Sequence, residues 1–307
     1  MKVGAIVRII IWLLVAAILT ALLVGILVFK EVRLFGGSGI WGYQYDNAAR
    51  YTVGDGVVPG SVNQLDIHWI AGSVTILPYD GKQVKLEETG AQNDDGRLRY
   101  LVENGKLTVQ YQRSGWSFGF WNKTGKKDLV VSVPSEMAKN LITVEISSVS
   151  AEATVKDIVV ERKVKMEAVS GGLTLENVTA GTCELENVSG RTQLENVSVD
   201  ELEIETVSGY VYGNGAIGSL SCEGVSANVK ITTRERLKKM KVETVSGDVE
   251  VCMPENDGFT VKIQKVSGGF TSDFAVKAAG KTYTYGDGSA DYSMETVSGN
   301  LRILKTE

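Results

Sequence analysis

The chain has 307 residues, 43% hydrophobic and 22% charged, with a mean hydropathy of +0.01, which excludes both a disordered tail and a polytopic membrane protein. One histidine (His68) and three cysteines exclude a histidine-dependent triad not built on His68, and a zinc site of four cysteines or of two cysteines and two histidines. Residues 1–35 hold four basic side chains and one acidic, while the rest holds 28 basic and 36 acidic, a net of −8; a body without a basic stripe is not expected to bind nucleic acid.

Residues 1–8 read as a short tail and residues 9–29 as a transmembrane anchor: 21 uncharged positions, almost all Ile, Leu, Val and Ala, span about 31 Å as a helix. A cleaved signal peptide would have a shorter apolar core ending in a small-x-small site, and Gly25 to Lys30 offers none. Lys2 and Arg8 balance Lys30 and Arg33, so basic residues do not set the orientation. A long polar part after one N-terminal apolar helix is nevertheless expected outside, giving a single-pass protein of the cytoplasmic membrane. Residues 30–61, rich in Gly, Tyr and Asn, read as a linker.

Residues 62–139 read as irregular strands: Val62 to Leu77, Val84 to Glu88, Leu98 to Val102, Leu107 to Tyr111 and Leu129 to Val133, separated by turns such as Asn93-Asp94-Asp95-Gly96. This irregular spacing suits the capping end of a solenoid. From about residue 140 to 307 the tripeptide Val-Ser-Gly or a relative recurs, at Val169, Val188, Val207, Val225, Val245, Val266 and Val297 among others. The residue three before each of these Val positions is apolar, and the residue two before is Glu or, once, Gln. Alternation with period two means strands with one buried face. Strands recurring this way bury that face only by stacking, so the fold class is all-β, a parallel β-solenoid of about 19–20 residues per coil, its coils about 4.8 Å apart. The Gly after Ser is expected to permit the turn.

Ile70-Ala71-Gly72-Ser73-Val74-Thr75-Ile76, Lys127-Asp128-Leu129-Val130-Val131-Ser132-Val133-Pro134 and the serial Thr-Val-Ser-Gly units resemble the bacterial putative-adhesin family of β-strand repeats, whose function is unknown, and within it the LiaG-like membrane-anchored envelope proteins. The resemblance spans about residues 60–307. It implies a right-handed β-helix outside the cytoplasmic membrane and a link to envelope-stress signalling, and it carries over no catalytic residue.

Among candidate sites, Glu184, Glu186, Glu203 and Glu205 share the outward parity of two adjacent rungs, a set of oxygens that could attract a divalent cation. A solvated acidic face relieved by Lys163, Lys165, Lys239 and Lys241 explains them better, so no metal or other cofactor is expected. Trp116, Phe118, Phe120 and Trp121, followed by Lys123, Lys126 and Lys127, either cover the solenoid's open end or form a binding surface for an anionic envelope. His68 has outward parity with Asp66, without an indicated nucleophile beside it. The serines of the repeat are read as hydrogen-bonding at the turn. The cysteines are read as unbridged, because Cys183 and Cys222 lie two coils apart. The sequons at Asn122, Asn177, Asn187 and Asn196 are read as by-products of the repeat.

The expected function is that of a non-enzymatic, adhesin-like binding or scaffold protein presenting a rigid lateral surface to an envelope protein or polymer. Two alternatives are a β-helix enzyme acting on polysaccharide, which would need outward Arg beside the acidic columns, and a passive spacer.

Overall fold

The computed structural model describes residues 32–33, 42–117 and 125–306. The apolar segment 9–29 and Phe118, Phe120 and Trp121 lie outside the described residues. Among those described, no helix is long and apolar enough to cross a membrane; the one helical element is the three-residue 3₁₀ turn Ala48–Arg50, and the rest is strand and turn.

Each coil contributes two strand segments that stack on their counterparts in parallel. The first-half stack sets Leu65 and Ile67 under Val144 and Ile146, then Val164 and Met166, then Cys183 and Leu185. The second-half stack sets Val74, Ala153, Leu173 and Thr192 in one column. The inward columns are buried throughout, Val144, Val164, Cys183 and Leu194 completely. Each such aliphatic side chain contributes roughly 1.5–3 kcal/mol on leaving water. Alternation in the sequence is thus the cause of the core in the stacked coils: one parity makes ladders inside, the other faces outward.

The coils do not stack in chain order at either end. The coil of Lys106–Gln110 and Lys127–Pro134 lies outside that of Gln64–Tyr79, whose other side is covered by Leu141–Lys156. At the far end, Ala290–Ser298 is inserted between Lys239–Ser246 and Gly258–Lys265, and Leu301–Lys305 pairs with both Val249–Met253 and Phe270–Ser272. The chain therefore skips a coil, turns through the antiparallel strands Lys277–Ala279 and Thr282–Gly286, and returns to fill the gap. The repeat of Val-Ser-Gly puts Val266 before Val297 in sequence, whereas the stack puts Val297 before Val266.

Antiparallel strands cover the outer edges. Arg99–Glu103 pairs with Lys106–Gln110, Lys85–Thr89 with Lys127–Pro134, and Thr282–Gly286 with Gly258–Lys265. Part of the expected linker belongs to this cap: Thr52–Val53 and Gly56–Val57 add edge strands, and Tyr43, Tyr45 and Val58 are buried in the core. Three tyrosines in nine positions supply enough apolar area to hold the segment down. Inside the cap, the Lys127 ammonium is buried 2.5 Å from the Glu88 carboxylate and lies over the rings of Tyr111 (3.9 Å) and Trp69 (4.8 Å). Burial lowers it to about 8, against the raising effect of Glu88.

Candidate functional site

The acidic column forms an outward ladder on the first-half stack. Glu167 is in register with Glu186, Glu223 with Glu243, and Glu243 with Glu295. Lysines neutralise it in part: Lys165 lies 2.7 Å from both Glu167 and Glu186, Lys163 is 2.5 Å from Glu184, and Lys241 is 2.8 Å from Glu223 and 3.1 Å from Glu243. Between these clusters Glu203 and Glu205 make no ion pair among the described residues. Burial, then Glu184 for the first and Glu186 for the second, holds both above their ordinary value. Glu184 and Glu186 lie on the rung next to Glu203 and Glu205, and no group of three acidic, histidine or cysteine side chains among the described residues could hold a metal ion. Flat strands hold carboxylates side by side, where a cation needs them converging.

A cleft of about 770 Å³ opens between the segment 44–51 and the outward face of the N-terminal cap, lined by Tyr45, Tyr51, His68, Glu103, Lys106 and Ser114 among others. Its walls are tied together. Arg50 bonds Glu103 at 2.8 Å, linking the 3₁₀ turn to the cap hairpin. Lys106 and His68 Nε2 reach Asp66 from two sides, at 2.5 and 3.0 Å. Burial would raise the Asp66 carboxyl, but the bond to His68 and the charges of His68 and Lys106 outweigh it and hold the group at about 2. Ser114 lines the same cleft, which the sequence did not indicate; its hydroxyl accepts from the Tyr45 N–H (3.1 Å) and donates to the Tyr45 carbonyl (3.3 Å). The cleft escaped sequence reading because residues 44–51 looked like linker; the clustered Tyr43, Tyr45 and Tyr51 were the available signal.

Of the aromatic cluster, Trp116 is described by its backbone, which pairs opposite Tyr43 in a separate three-stranded sheet of Val32–Arg33, Gly42–Tyr43 and Trp116–Ser117. The repeat serines bond between coils: Ser170, Ser189, Ser208 and Ser246 each donate to the carbonyl of a Val one coil back, at 3.3–3.4 Å. Cys183 and Cys222 are buried and Cys252 partly exposed, all three as free thiols. Burial pushes Cys183 and Cys222 up to about 12, which keeps them inert. The sequon asparagines are engaged as well. Asn177 donates to Asp157 (2.7 Å), Asn196 to Asn177 (2.8 Å), and Arg234 to Asn196 (2.8 Å), a polar ladder along one corner of the stack. Asn187 is buried and donates to the Gly171 carbonyl.

This stacked architecture is that of a known family: residues 62–304 match the family described as Toastrack DUF4097. The chain belongs to it. No curated protein matches this Toastrack chain. Solved structures similar to it include a putative cell adhesion protein from Clostridium sporogenes ATCC 15579, at 15% identity over 83% of this chain and 100% of the other, with a TM-score of 0.25. Another is a putative adhesin from Bacteroides fragilis NCTC 9343, at 11% identity over 83% and 97% of the two chains, with a TM-score of 0.45.

Proposed function

We propose that this chain is a non-enzymatic binding protein of the cell envelope, held in the cytoplasmic membrane by residues 9–29, with its solenoid, wound as a right-handed β-helix, on the outer side. The cap cleft carries this reading. Its polar walls are cross-tied by Arg50–Glu103, Lys106–Asp66 and His68–Asp66 before any ligand arrives, which reduces the ordering cost of binding. The serine in it is taken up by the Tyr45 backbone rather than held against His68 for attack. The acidic lateral ladder likewise lacks the converging carboxylates and outward Arg that polysaccharide cleavage would need. The partner is an envelope protein or polymer, in keeping with the envelope-stress association that the family resemblance implies.

Two measurements on intact cells test this. In a Cys252→Ser background, Ser61→Cys is expected to react with a membrane-impermeant maleimide; reaction only after lysis would place the solenoid inside and overturn the orientation. A photo-crosslinking residue at Gln44, on the cleft, is expected to trap a discrete partner that the same residue at Thr271 does not. Equal patterns from both sites favour the passive spacer.

A further inference from the structure

Between the rung of Ser73 and Thr75 and that of Asn300 and Arg302, both one short of the ends, each rung of the second-half stack places two residues on its outward face. These are polar or glycine on every rung but one. The exception is Tyr210 and Tyr212, 64% and 45% exposed, while Val211 between them is buried. Their rung is fixed by stacking: a Cβ on Gly209 would meet the Gly190 carbonyl, and one on Gly213 would meet Leu194 on one side and Ile231 on the other. Arg191 and Gln193 therefore flank the tyrosines on one rung and Asn228 and Lys230 on the next, each about 4.8 Å away, with the two tyrosines about 7 Å apart along the strand.

The charges around this pair are unevenly satisfied. Lys230 is bound to Glu250 at 2.7 Å, and Arg302 to Asp248 at 3.2 Å. Glu152 is engaged by the Gly172 N–H at 3.1 Å. Arg191 is exposed and has no ion pair or hydrogen bond of its side chain among the described residues. Asn228 accepts the Asp248 N–H on its Oδ1, which leaves its amide N–H₂ to donate.

We propose that Tyr210, Tyr212 and Arg191 form a binding site for an anionic polysaccharide lying across this face. A pyranose ring has a C–H face and a hydroxylated rim. Tyrosine rings accept the first and the Asn228 amide the second, Gln193 being engaged by Glu195 at 2.7 Å, and the uncompensated guanidinium takes a carboxylate or phosphate on the polymer. A lipid or a hydrophobic protein surface would leave the polar groups around the pair unpaired, at a cost. The site deepens the envelope-binding reading and rests on it.

The test uses the full chain in detergent micelles, with affinity electrophoresis against alginate, dextran and polyglutamate. Alginate is expected to retard it strongly, dextran weakly and polyglutamate not at all. The Tyr210→Ala/Tyr212→Ala variant is expected to lose about tenfold or more of alginate affinity, as truncated aromatic anchors do. Tyr210→Phe/Tyr212→Phe retains most of it. Arg191→Gln is expected to reduce alginate binding to the dextran level and to remove most of its salt dependence. Unchanged alginate affinity in the double alanine variant, retardation by polyglutamate equal to that by alginate, or no retardation of the unaltered chain overturns the site. A fall in sedimenting mass in the alanine variant, without loss of glycan binding, assigns the tyrosines to a contact between copies and overturns it too. Persistence of the Gln44 crosslink when glycan binding is absent leaves the binding function standing and removes only this site.

Discussion

Gly209 has a φ of +140°, and a Cβ there would stand 2.1 Å from the Gly190 carbonyl oxygen of the adjacent coil. The same closeness recurs at Gly247 against Ala227, Gly299 against Gly247 and Gly268 against Gly299. Glycine in the repeat thus permits close approach of backbones between coils as much as it permits a turn. Gly209→Ala is expected to lower unfolding stability by about 1–3 kcal/mol, because the carbonyl it meets belongs to a hydrogen-bonded rung and cannot yield; denaturant titration measures this. The carboxylates of Glu203 and Glu205 lie at the opposite extreme of tolerance. Their folded-state values are raised, so between their unfolded value and the raised one the folded state holds more protons than the unfolded state. Stability then falls as pH rises through that window, and the loss persists at pH 7. Glu203→Gln and Glu205→Gln are therefore expected to stabilise the protein at pH 7 by a few tenths of a kcal/mol, the small size reflecting solvent screening. Thermal melts at pH 7 and pH 3 check the sign, since the gain disappears below the ordinary glutamate range and shrinks with added salt.

At the scale of elements, the cap strand Lys127–Pro134 joins the parallel stack to the antiparallel edge, pairing parallel with Gln64–Tyr79 on one side and antiparallel with Lys85–Thr89 on the other. Lys127 begins it, and its buried ammonium is matched by Glu88 while its carbonyl accepts the Trp69 indole N–H at 2.9 Å. Lys127→Ala leaves the Glu88 carboxylate buried without a counter-charge and is expected to cost about 3–5 kcal/mol. Glu88→Gln in a Lys127→Met background is expected to recover part of that, because Gln still accepts the Leu98 N–H that Glu88 holds. A double-mutant cycle by chemical denaturation reads the coupling, and additive losses would mean the two groups do not act as a pair. Such a pair cannot be read from sequence: Lys127 stands there only as the last of three lysines after an aromatic cluster, and the fold alone sets its ammonium against the rings of Trp69 and Tyr111. The repeat was legible for the opposite reason. Its buried columns depend on parity alone, and parity is local, so Val164, Cys183 and Leu202 could be placed inward without any long-range knowledge. The cleft and Tyr210 depend on what lies across a rung or across the cap, and no local pattern encodes that.

For the whole molecule, the order of coils decides how the stack resists shortening. In a solenoid laid down in chain order, removing the last coil exposes one new end and leaves the rest intact. Here Ala290–Lys305 is the penultimate coil in space, holding Gly258–Ser272 to Lys239–Met253. Arg302 and Asn300 reinforce that position through Asp248, with the Asn300 N–H 2.9 Å from its carboxylate. The same interlock at the other end puts Lys106–Gln110 and Lys127–Pro134 outside Gln64–Tyr79, so at both ends the outermost coil is the one next to the terminal coil in sequence. A chain ending after residue 289 should therefore lose two coils, with residues 254–289 becoming cleavable by protease and the core through Met253 remaining resistant. A chain ending after Met253 should show the same resistant core and nearly the same melting temperature, since residues 254–289 contribute little without the coil that docks them. Limited proteolysis with mass spectrometry distinguishes this from serial stacking, in which the 289 truncation would protect residues 258–272 as well as the full chain does.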